Sequence, residues 1–135
     1  MNDPYTGKPV NLILDTSAVV SYCRRDTAIH VGDVLLQVQD EGAVAVIPLA
    51  CLVEAVPAVE DPGMLEVLVG LPTTSVVSDE PSSWRDLANM VEDVGRLDVA
   101  SAALASIDFE ARILSRTPNL YAGIGTRAMV IEIPR

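Results

Sequence analysis

A parallel α/β sheet covered by helices on both faces is the architecture this sequence predicts, and three observations carry it. Short runs of β-branched and aliphatic residues alternate along the chain with segments of helical period. Breakers fall at the junctions, at Gly42, Pro48, Pro57 and Gly95. The length of 135 residues suits one domain with a substantial core. We read residues 11–135 as that single domain and residues 1–10 as a loose N-terminal tail.

The elements follow in order. Residues 11–15, "NLILD", form a short buried strand with a carboxylate at its end. Residues 29–41 place Ile29, Val31, Val34, Leu35 and Val38 near helical period, and Gly42 stops that helix. "AVAVIP" at 43–48 is a second strand, ended by Pro48, and "LACLVEAVPAVE" is an apolar helix that Pro57 kinks or ends. Asp61 precedes a helix whose first position suits Pro62. "TTSVV" at 73–77 is β-branched and makes a third strand. In "SDEPSSWRDLANMVEDVG", Ser82 or Ser83 caps a helix striped with Leu87, Met90, Val91 and Val94, and Gly95 closes it. "RLDVASAALASIDFE" is a small-residue helix with Asp98 near its start; "ARILSR" and "AMVIEI" complete the set as fourth and fifth strands.

Composition narrows the function. The formal net charge is −10, from 19 acidic and 9 basic residues, which makes a poor general binder of nucleic acid. Arg24 and Arg25 are the one basic cluster. No apolar run reaches the roughly 18 residues of a spanning helix, and "MNDPYTGKPV" has no signal-peptide pattern. No membrane association and a cytoplasmic location are therefore expected. Cys23 and Cys51 lie in apolar surroundings with no metal-ligand spacing, as two reduced buried thiols would.

In open α/β sheets, functional groups gather outside the carboxyl ends of the strands, where the crossover direction reverses. Asp15 ends the first strand and "SRT" at 115–117 ends the fourth, so neighbouring strands would join those ends into one crevice. Asp15, Glu54 and Asp98, each set among apolar or small residues, are the candidate carboxylates. Acids forced together need a cation, and Mg²⁺ or Mn²⁺ with oxygen ligands can activate water against a phosphodiester. Each acid also has a plainer role open to it. Asp15 and Asp98 can cap the helices that follow, and Glu54 can sit on a solvated helix face.

The ordered motifs "LILDTSAVV", "PLACLVEAV", "LDVASAALA" and "ARILSRTPNLYAGI" resemble the PIN-domain family, the metal-dependent ribonuclease fold of VapC-like toxins in toxin-antitoxin systems. The resemblance implies a PIN-like three-layer α/β/α domain with a five-stranded parallel sheet of order 3-2-1-4-5. It implies Asp15, Glu54 and Asp98 as catalytic metal ligands for Mg²⁺ or Mn²⁺, with Thr16 or Ser17 orienting Asp15 and the attacking water. The family commonly carries an aspartate where this chain has Thr117. Ser115 keeps the first hydroxyl of that motif, and Asn119 offers a neutral oxygen further along.

Two functions follow from the resemblance. One is an endoribonuclease toxin with a single-stranded RNA substrate, an antitoxin partner and a homodimer that pools Arg24, Arg25 and Arg116 as backbone contacts. The other is a degenerate PIN-like module that binds RNA or a protein partner without cleaving, with Thr117 as its marker.

Overall fold

The computed structural model describes residues 2–127 and 129–134. Five parallel strands form one sheet of order β3-β2-β1-β4-β5: β1 (Val10–Leu14), β2 (Val44–Pro48), β3 (Thr74–Val77), β4 (Arg112–Ser115) and β5 (Val130–Glu132). Among the described residues, six α-helices lie on the connections from β1 to β4, namely α1 (Thr16–Tyr22), α2 (Ala28–Asp40), α3 (Leu49–Ala55), α4 (Pro62–Gly70), α5 (Trp84–Val94) and α6 (Leu97–Phe109). Fold class and strand order are those expected. Ala128, the first residue of the expected fifth strand, and Arg135, the last of the expected domain, lie outside the described residues.

The central strand shows why the sheet is covered twice. Leu12 and Leu14 pack with Val19, Tyr22, Val31, Leu35 and Leu68 from α1, α2 and α4. Val10 and Ile13 pack on the other face with Met90 of α5 and Val99, Ala100 and Ala103 of α6. A register irregularity between Val10 and Leu12 lets Val10 and Ile13, three apart, share a face. The small residues of α6 bring that helix close against the sheet. From Asp98 to Leu104 it is buried without interruption.

Local signals end the elements where they were expected to. Gly42 and Gly95 adopt positive φ after α2 and α5. Asp61 caps α4 by accepting from the Gly63 and Met64 amides, with Pro62 at the first helical position. Ser83 occupies the cap position of α5 but makes no side-chain cap bond; a 3₁₀ turn at Pro81–Ser83 leads into the helix instead. Among the described residues, no helix is long and apolar enough to cross a membrane.

Two regions depart from expectation. Residues 2–10 are not loose, and Met1 of the expected tail lies outside the described residues. Asp3 is 1% exposed, and its carboxylate accepts from the Tyr5 and Thr6 amides, the Thr6 hydroxyl and the Ser75 hydroxyl of β3. Gly7 at positive φ completes the turn, and Asn2 bridges Pro9. The second is the stretch after β4, for which the sequence predicts no element. It forms 3₁₀ turns over Pro118–Arg127 that break at Gly125, and Tyr121 and Ile124 are buried against α5 and α6.

Candidate functional site

The chain builds outward from β1 to β2 and β3, then crosses back to lay β4 on the other side of β1. The switch point therefore lies between the carboxyl ends of β1 and β4, where neighbouring connections diverge and leave a crevice. A pocket of about 360 Å³ opens there, and its lining includes Asp15, Thr16, Ser17, Arg96, Asp98 and Arg116.

Asp15 follows the last residue of β1 and is the N-cap of α1, so one carboxylate has two duties. Its Oδ1 accepts from the Ala18 amide at 3.0 Å and the Ser17 hydroxyl at 2.6 Å. Its Oδ2 accepts from the Tyr121 phenol at 2.8 Å. Burial, followed by the charge of Asp15, pushes the Tyr121 phenol far up, so Tyr121 is a permanent donor.

A row of hydroxyls runs from the mouth of the pocket to Asp15. Ser17 gives its proton to Asp15, so at 3.3 Å the Ser115 hydroxyl is the donor to Ser17. Ser115 in turn accepts from the Thr117 amide at 3.0 Å, while the Arg116 amide donates to Ser17 at 2.8 Å. The "SRT" segment thus fixes Ser17, which fixes Asp15.

Asp98 lies in the first turn of α6 and is 6% exposed. It is not the cap; Arg96 holds the N-cap position and makes no side-chain cap bond. Thr16 donates to Asp98 Oδ2 at 2.6 Å. The Arg96 guanidinium grips both carboxylate oxygens, Nε to Oδ1 at 3.1 Å and Nη2 to Oδ2 at 3.0 Å. Beneath it, the Cys51 thiol donates to the backbone carbonyl of Asp98 at 3.2 Å. Burial and then the charge of Asp15 push that thiol up to about 12, so Cys51 stays protonated.

Of the predicted site residues, Asp15, Asp98, Thr16, Ser17, Thr117, Arg24 and Arg116 line the pocket, with Ser115 buried just behind. Glu54, Arg25 and Asn119 are exposed and outside the lining. On α3 it is Cys51, one turn before Glu54, that turns inward. Arg24 stands 3.1 Å from Glu60 and 3.5 Å from Asp26 as an ion pair without aligned hydrogen bonds. Arg96, Tyr121 and Cys51 were missed. Arg96 had one signal, a guanidinium two residues from a candidate acid. Tyr121 had a weaker one, a tyrosine between Leu120 and Ile124 in a glycine-containing segment.

These donors bear on a resident Mg²⁺ or Mn²⁺, which takes about six oxygens at about 2 Å. Every carboxylate oxygen of Asp15 and Asp98 already accepts a hydrogen bond, and both oxygens of Asp98 face a guanidinium. Among the described residues, no group of three or more His, Cys, Asp or Glu side chains is placed to hold a metal ion. With Arg96 seated on both oxygens of Asp98, the pocket as arranged does not fit a resident divalent cation.

No family model matches the chain, and no curated protein is a significant match. Among solved structures, the crystal structure of PAE2754 from Pyrobaculum aerophilum is similar, with a TM-score of 0.64 over 90% of this chain and 91% of that one, at 15% identity. That likeness shows the fold alone. It agrees with the five-stranded sheet and places no chemistry in the pocket.

Proposed function

We propose that this chain is a PIN-like domain that binds single-stranded RNA by a backbone phosphate at the strand-end pocket and does not cleave it. The PIN-like assignment rests on the ordered motifs around Asp15, Glu54, Asp98 and Ser115. One observation carries the choice of function: Arg116 lines a pocket whose two carboxylates are already engaged, Asp98 by the Arg96 guanidinium and Asp15 by amide and hydroxyl donors. Arg96 offsets the charge of Asp98, and Arg116 lines the same pocket as Asp15, so little negative charge is left over for a divalent cation. Arg116 and the exposed Thr117 offer a cation and a hydroxyl at its mouth. The −10 charge of the whole chain confines attraction to this pocket, so few phosphates are neutralised.

Fluorescence anisotropy with a labelled single-stranded RNA tests the reading. Binding should weaken in R116Q and stay unchanged in R112Q, because Arg112 is exposed and outside the pocket. The logarithmic salt slope should be shallow, about −0.7 for each phosphate engaged. Absence of binding sinks the proposal, as does Mn²⁺-dependent cleavage by the unaltered protein.

Such cleavage would favour the second reading, a metal-dependent endoribonuclease toxin with an antitoxin partner and a dimeric state. The observation on its side is that Asp15 and Asp98 share one pocket, with the exposed Glu54 one turn beyond Cys51 on α3. In that reading Arg96 must leave Asp98 before the acids can hold Mg²⁺ or Mn²⁺.

A further inference from the structure

We infer that Arg96 is a built-in substitute for a divalent cation on Asp98, and that this one side chain keeps the pocket closed to metal. The inference rests on the reading of the pocket as metal-free and assigns the cause to a single residue.

Three observations converge on Arg96. Its guanidinium is bidentate, with both nitrogens at 3.0–3.1 Å from the two oxygens of Asp98, the geometry in which arginine best matches a carboxylate. Its helix position does not explain its presence. An N-cap favours Ser, Thr, Asp or Asn, and Arg96 makes no cap bond there. Packing does not explain it either, since the side chain is 47% exposed.

The two partners differ in their freedom to separate. Asp98 is held in the first turn of a buried helix, with Thr16 on Oδ2 and Cys51 on its carbonyl. A buried carboxylate with few neutral donors is costly without a counter-charge, and Asp98 has Thr16 as its one neutral side-chain donor, so a cation is its favoured partner. Arg96 can rotate into solvent on its long stem, whereas Asp98 has no such path. A guanidinium and a divalent ion therefore compete for the same two oxygens, and the tethered one wins while it is present.

Calorimetric titration with MnCl₂ at low ionic strength tests this on the full chain. The unaltered protein should show no saturable heat. R96Q, which keeps a polar side chain and removes the charge, should gain saturable Mn²⁺ binding, and R96Q/D98N should lose that gain. R96K keeps a charge but not the fork, so it should fall between; it serves in place of R96Q if the latter does not fold. Equal binding by parent and variant overturns the inference. So does absence of binding by a folded R96Q, or by a folded R96K used in its place. The outcome is separable from the RNA reading: loss of the anisotropy signal would refute phosphate binding while leaving an R96Q gain intact.

Discussion

Asp3 and Asp98 are buried to nearly the same depth, at 1% and 6% exposure, yet neutral donors satisfy the first and a guanidinium grips the second. Around Asp3, two amides and two hydroxyls supply four fixed donors. Burial would raise its carboxyl, but the Thr6 hydroxyl, the Tyr5 amide, the Ser75 hydroxyl and the Thr6 amide outweigh it and hold the group below the ordinary range. Around Asp98 the neutral donor set is thinner, with Thr16 alone, and a second carboxylate, Asp15, lines the same pocket. One isolated buried carboxylate can be solved with dipoles. Two in one pocket add their fields, and a full positive charge becomes the cheaper partner.

The largest expected effect breaks the pocket's own framework. D15A removes the cap of α1 and leaves the Tyr121 hydroxyl buried without its acceptor. We expect a loss of about 2–4 kcal/mol in urea unfolding. A cost below that of disturbing Asp3 would reverse the contrast between the two regions and identify the N-terminal turn as the stronger anchor.

Next is the acid limb of stability. Because the folded value of Asp3 is lowered, its contribution is present above the ordinary carboxylate range and is lost as pH falls through the lowered value. D3N should therefore lower stability at neutral pH and flatten the acid limb, with the two proteins converging at low pH. Parallel curves from chemical denaturation across the acid range would show that Asp3 contributes no differential protonation.

The smallest effect lies on α6, at its far end from Asp98. Burial first, then the charges of Asp86 and Asp79, raise the carboxyl of Asp108. Its charged form therefore costs stability above the raised value, and that cost disappears as pH falls through it. D108N should give a small rise in Tm at neutral pH that fades on acidification. A lowered Tm would mean that Asp108 has a stabilising partner rather than repelling neighbours.

Much of the framework was legible because it is local. Gly42, Gly95 and the Asp61-Pro62 pair act within a few residues, and all three end or start helices as their chemistry requires. Asp15 stood out for the same reason, a lone charge ending an apolar run. The N-terminal turn was misread although Asp3, Thr6 and Gly7 carry its chemistry, because nothing nearby announces Ser75, 72 residues away.

The sequence by itself determined the alternation of strands and helices, their stops, and the presence of Asp15 and Asp98 at element ends. Periodicity and turn chemistry act over a few residues, and those features need nothing more. Only the tertiary structure decided what the acids touch. Thr16 meets Asp98 across 82 residues and Tyr121 meets Asp15 across 106, contacts that exist only because α6 packs on the sheet and β4 is laid beside β1. The rotation of α3 is likewise set by packing on α6 and the sheet, which turns Cys51 inward and leaves Glu54 exposed. Sequence spacing names the acids; the register of the sheet and the roll of a seven-residue helix decide which of them share a pocket, because side-chain direction follows the packed backbone.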